Sequence, residues 1–88
     1  MELEELRKEI NEIDDELISL FERRMAVSAK IGMEKKKKGL LVYDKKREAE
    51  VLKRLTSKVP DGAKEDIEAL YLKIFEISKG KQEKINEV

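Results

Sequence analysis

Apolar residues recur along the first third of the chain at Leu3, Leu6, Ile10, Ile13, Leu17, Leu20, Val27 and Ile31. The spacing alternates three and four, as one face of a packed α-helix requires. It predicts a single helix from about Leu3 to Lys38. Gly39 follows four consecutive lysines. It stands where a C-cap glycine belongs, and the cations suit the negative end of the helix dipole. Gly39 to Tyr43 reads as a short apolar loop. Asp44 is the expected N-cap of a second helix that runs to about Lys58, with Val51, Leu52 and Leu55 on its buried face. The one proline, in VPDGA, marks the next break. A third helix is expected from about Lys64 to Asn86, with Ile67, Leu70, Tyr71, Ile74, Ile77 and Ile85 as its stripe. The fold class is all-α: three helices in one domain over residues 1–88.

The first helix would be roughly 50 Å long at about 1.5 Å per residue. The other two are much shorter and cannot cover its stripe from end to end. A helix draws most of its stability from such packing. An intertwined helical homodimer, first helix against its symmetry mate, is therefore the expected assembly.

The polar residues that interrupt the stripes carry the chemistry. The run Leu17, Leu20, Val27, Ile31 calls for a hydrophobe at position 24, and the sequence supplies Arg24. At about 100° per residue, Ser28, Ile31 and Lys35 share its face. Taken singly, each cation has an ordinary explanation: its stem covers apolar surface while its head reaches water, or Arg24 pairs with a carboxylate. On the second helix Asp44, Arg47 and Glu48 stand above Val51, Leu52 and Leu55. Alone they read as an N-cap and a solvated first turn. On the third helix Ser78 and Gln82 lie between Ile74 and Ile85. An amide there is costly unless it finds partners, although a frayed helix end would also hold one. Gly80 between them weakens the helix, and a close helix approach is one reason for it. Together the three helices bring Arg24, Lys35, Arg47, Ser78 and Gln82 as donors and Glu48 as an acceptor. That set suits a small dianion with a hydroxyl, since the guanidinium fork grips carboxylates. Arg7 lies 17 residues before Arg24, about 25 Å along the same helix. It cannot serve the same ligand from the same chain. By itself it reads as a solvent-exposed arginine, but antiparallel pairing of two long helices would bring it to the partner's Arg24.

Composition narrows the chemistry further. Charged residues are 45% of the chain, and 20 basic side chains balance 20 acidic ones. No bulk attraction to nucleic acid or to an acidic membrane follows. There is no His and no Cys, so imidazole acid–base chemistry, thiol nucleophiles and the usual zinc sites are excluded. The opening MELEELRKEI lacks the apolar core of a signal peptide. A cytoplasmic location is the expectation, and the absence of a visible linker favours a free-standing chain over an excised domain.

The segments LRKEINEIDDELISLFERRMAVSAKIGMEKK, VYDKKREAEVL and IFEISKGKQ together resemble the all-helical chorismate mutases. That family includes mutase domains fused to prephenate dehydratase or dehydrogenase. The resemblance covers nearly the whole chain and implies an isomerase that converts chorismate to prephenate for Phe and Tyr biosynthesis, with no cofactor and no metal. It implies that Arg24, with Arg7 of the partner chain, grips the substrate carboxylates. Lys35 and Gln82 would donate to the ether oxygen, and Glu48 with the backbone N–H of Asp44 would bind the ring hydroxyl. Arg47 and Ser78 would complete the contacts. Two other functions compete: isochorismate-pyruvate lyase on the same fold, and a non-catalytic helical dimerisation or regulatory module. The Glu48 contact favours the mutase over the first, and the inward donors favour it over the second.

Overall fold

The computed structural model describes residues 2–86, with side chains as far as Lys84. Three helices follow in order: α1 (Leu3–Lys38), α2 (Lys45–Thr56) and α3 (Lys64–Asn86). The all-α expectation holds, and both predicted caps form. Gly39 adopts the left-handed conformation at φ 68°. Its N–H donates to the Lys36 carbonyl at 3.3 Å, and that of Leu40 to the Lys35 carbonyl at 2.8 Å. This Schellman-type closure satisfies carbonyls that the helix end leaves open. Asp44 caps α2 by accepting from the Arg47 N–H at 3.0 Å.

One boundary and one turn differ from expectation. α2 ends at Thr56 rather than near Lys58. There the Thr56 hydroxyl donates to the Leu52 carbonyl and the Ser57 hydroxyl to that of Arg54. Such local bonds compete with helix propagation. A 3₁₀ turn, Asp61–Ala63, leads into α3. It is closed by the Ala63 N–H donating to the Pro60 carbonyl, and the sequence pattern did not predict it.

The molecule measures 54 × 28 × 14 Å, and its long dimension is the length of α1. The C-terminal part of α1 packs on α3, and α2 packs on α3 as well. The N-terminal half of α1 projects alone, and residues 2–20 are exposed throughout. Leu3, Leu6, Ile10, Ile13, Leu17 and Leu20 are each 44–60% exposed. The radius of gyration is 16.2 Å, against about 12 Å for a compact chain of this length.

Within the chain, the stripe is not the face that α1 buries. Its buried residues are Met25, Ser28 and Gly32, roughly 110° round the helix from Val27 and Ile31. Met25 joins Val51, Ile74 and Phe75 in a small apolar core. Leu70 of the predicted α3 stripe is exposed, while Ile67, Tyr71 and Ile77 are half-buried. The Ile85 side chain lies outside the described residues.

The close helix approach occurs at Gly32 and not at Gly80. A Cβ at Gly32 would lie 3.0 Å from Gln82 Cγ and 3.2 Å from Gln82 Cα, whereas one at Gly80 would meet nothing within 4 Å. Two substitutions should therefore shift the urea unfolding midpoint in opposite directions. Gly32→Ala crowds Gln82 across the seam and should destabilise on balance by up to about 2 kcal/mol, after a helix-propensity gain of about 1 kcal/mol. Gly80→Ala should stabilise by up to about 1 kcal/mol, the helix propensity difference. Equal midpoints for the two variants would contradict the assigned seam.

Candidate active site

A cleft of about 270 Å³ opens where the three helices meet. It is slightly smaller than most small-molecule pockets, and so suits a compact ligand. One wall is α1, whose residues 24, 28 and 35 are spaced by whole helical turns and present Arg24, Ser28 and Lys35 to it. Phe75, Ser78, Lys79 and Gln82 of α3 form the second wall. Val42, Asp44, Arg47, Glu48 and Val51 form the third, from α2 and the loop before it. On the remaining side stand Val27 and Ile31, 52% and 46% exposed. The cleft is open where the uncovered stripe of α1 begins.

Arg24 lies against aromatic rings. Its guanidinium carbon is 5.5 Å from the Tyr71 ring centroid and 5.9 Å from that of Phe75. Tyr71 and Phe75 pack edge to face. Ring faces are favourable seats for a cation, especially a desolvated one. Arg24 Nη1 donates to Ser78 Oγ at 3.1 Å, which leaves four guanidinium N–H groups for other acceptors. Among the described residues Arg24 has no carboxylate partner.

Lys35 Nζ donates to the Val42 carbonyl at 2.8 Å and to Gln82 Oε1 at 3.3 Å. Gln82 Nε2 donates to Ser28 Oγ at 3.0 Å. The orientation of the amide follows from chemistry. An ammonium can only donate, so the amide oxygen must face Lys35 and the NH₂ must face Ser28. Lys35 and Gln82 each keep one N–H beyond these bonds. Ser28, Ser78 and Gln82 are all buried, as hydrogen-bonded polar groups can be.

The acidic side of the cleft is compensated within the chain. Glu48 Oε2 lies 3.4 Å from Lys79 Nζ. The Asp44 side chain is held by its capping bond. Arg47 stands at the rim, and its Nη1 lies 3.6 Å from Glu50 Oε2. Among the described residues, Arg24 and Lys35 are the cleft cations without a carboxylate partner. Half-buried cations without a counter-charge are unfavourable, so this wall holds a standing attraction for an anion.

The structure thus brings Arg24, Lys35, Asp44, Arg47, Glu48, Ser78 and Gln82 to one cleft. Arg7 is exposed on the projecting half of α1 and does not line it. Sequence reasoning missed the Val42 carbonyl, the aromatic seat of Arg24 and the Lys79 partner of Glu48. The last two join segments distant in sequence, and the first depends on how the loop after α1 folds back on Lys35. Ser28 had been placed on the face of Arg24, but its bond to Gln82 was not anticipated.

Comparison with known proteins adds an independent line. The family model for chorismate mutase type II matches residues 6–83, which span the cleft and all three helices. The bifunctional chorismate mutase/prephenate dehydratase of Aquifex aeolicus (strain VF5) is 39% identical over 54 residues. That match covers 61% of this chain and 15% of the relative, so the chain corresponds to a small part of that protein. No solved structure is significantly similar. The cationic cleft and the family match meet on the same residues, and the chain belongs to the chorismate mutase type II family.

Proposed function

We propose that the chain is a chorismate mutase that rearranges chorismate to prephenate in the cytoplasm, as a step of Phe and Tyr biosynthesis. The observation that carries this reading is the pair of uncompensated cations, Arg24 and Lys35, on a cleft wall that also holds the Gln82 amide. The rearrangement is unimolecular and pericyclic. It needs no nucleophile, metal, cofactor or proton transfer, so a chain without His or Cys can perform it. The protein must hold the flexible enolpyruvyl arm over the ring, which is an orientation effect. It must also stabilise the negative charge that grows on the ether oxygen as its C–O bond stretches. In this reading Lys35 and Gln82 direct their remaining N–H groups there. Both are held in advance by Val42 and Ser28, so little reorganisation accompanies the reaction. Arg24, with Arg7 of the partner chain, takes the carboxylates, Arg47 and Ser78 complete the contacts, and Glu48 with the Asp44 N–H takes the ring hydroxyl.

The open side of the cleft is closed by a second copy of the chain. The accessible surface is 7382 Å², against about 5,400 Å² for a compact monomer of this mass. An obligate homodimer interface would remove an excess of this order. Charge is also segregated. Residues 2–22 hold nine acids and two bases, and residues 23–54 hold twelve bases and four acids. Antiparallel pairing covers both apolar stripes and lays residues 3–8 of one α1, with Glu4 and Glu5, along residues 23–28 of the other, with Arg23 and Arg24. It also carries Arg7 of each chain to the Arg24 of its partner, giving each cleft a further cation.

The direct test is loss of chorismate on addition of the purified chain, with prephenate identified as product and sedimentation reporting a dimer. Pyruvate release from isochorismate with no action on chorismate would favour the lyase, and a well-folded dimer without turnover on either would favour a non-catalytic module. Two variants test the roles. Lys35→Ala should lower kcat roughly 100- to 1000-fold while circular dichroism still reports a folded helical chain. Near-wild-type turnover would remove Lys35 from the mechanism. Gln82→Glu places a carboxyl beside the ether oxygen, and it can donate only when protonated. Turnover of this variant should therefore fall as pH rises through the carboxyl range, and a flat profile would contradict donation by Gln82.

A further inference from the structure

We propose that Lys79 is a positioning residue that makes Glu48 usable as the reader of the substrate's ring hydroxyl; this rests on the mutase reading above. The difficulty lies in Glu48 itself. A carboxylate on the wall of a site for a dicarboxylate repels its own ligand, and such a pair of like charges is destabilising wherever water is excluded. Lys79 answers this directly. Its ammonium lies 3.4 Å from Glu48 Oε2, with the two side chains only 30% and 21% exposed. The same nitrogen is 4.5 Å from the Tyr43 ring centroid, so it is held by a carboxylate and by a ring face together. Tyr43 precedes the cap of α2, Glu48 lies in the first turn of α2, and Lys79 comes from α3 between Ser78 and Gln82. The ammonium therefore ties three chain segments at one corner of the cleft.

Two consequences follow. Lys79 offsets the Glu48 charge, and by engaging Oε2 it leaves Oε1 as the oxygen that accepts from a hydroxyl. A hydroxyl contact does not change as the C–O bond breaks, because charge develops on the ether oxygen instead. The contact is therefore equally strong in ground and transition states, and its loss appears in KM rather than kcat. This separates Lys79 from Lys35, whose loss appears in kcat.

The experiment is steady-state kinetics with chorismate on the full chain and on Lys79→Met, Lys79→Arg, Glu48→Gln and the Lys79→Met/Glu48→Gln double variant. Circular dichroism and sedimentation verify that each is folded and assembled as the parent is. Lys79→Met should raise KM roughly two- to fivefold, the range of a partly exposed charge contact, with kcat within about twofold. Lys79→Arg should restore KM, and Lys79→Met should add nothing on top of Glu48→Gln. Parental KM in Lys79→Met would overturn the proposal, as would a loss confined to kcat, failure of arginine to rescue, or an undiminished effect beside Glu48→Gln. A parent chain that does not consume chorismate would instead overturn the mutase reading on which the proposal stands.

Discussion

At Gly32 the backbone of α3 comes close enough to α1 that an added methyl group would meet Gln82 at 3.0 Å. This approach is the constraint on which the rest of the chain depends. It sets Gln82 between Ser28 and Lys35, and one turn away it sets Ser78 against Arg24. The seam between the helices is therefore largely polar. The apolar core beside it consists of Met25, Val51, Ile74 and Phe75 among the described residues. A core of that size supports a small chain only weakly. The groups that orient the cleft are the same groups that join α1 to α3, so fold and site share one network.

The second constraint is what this seam leaves uncovered. α1 is 36 residues long, and α3 reaches only its C-terminal half. The remaining apolar face and the open side of the cleft are continuous through Val27 and Ile31. Whatever covers the one completes the other. The uncovered stripe of α1 and the distance of Arg7 from its own cleft both favour a second copy in antiparallel register. Under that reading the site belongs to the assembly, and dilution that separates the chains would also dismantle the cleft.

Much of this was legible in the sequence, for reasons that differ by residue. Gly39 and Asp44 act through local backbone geometry, so their caps could be placed from their neighbours alone. Arg24, Ser78 and Gln82 were visible because they interrupt apolar stripes. The period of the stripe revealed a helix but not the direction in which it packs. Val27 and Ile31 have the right spacing for a core, yet it is Met25, Ser28 and Gly32 that meet α3, with Gly32 allowing Gln82 a close approach. Gly80 had no settled role in the sequence, a close approach being one candidate, and within the chain a Cβ there would meet nothing within 4 Å. Lys79 was invisible for the opposite reason: a lysine on a charged helix is unremarkable until Glu48 and Tyr43 arrive from elsewhere in the chain.

The central claim is that each active cleft combines Arg24 of one chain with Arg7 of its partner. It is tested most directly by mixing two inactive variants, Arg7→Ala and Arg24→Ala, unfolding them together and refolding to randomise the dimers. Half of the dimers are then mixed, and each mixed dimer holds one cleft with both arginines intact and one with neither. Chorismate turnover should recover to about a quarter of the parental rate per chain, while either variant refolded alone stays inactive. No recovery in verified mixed dimers would contradict the shared site.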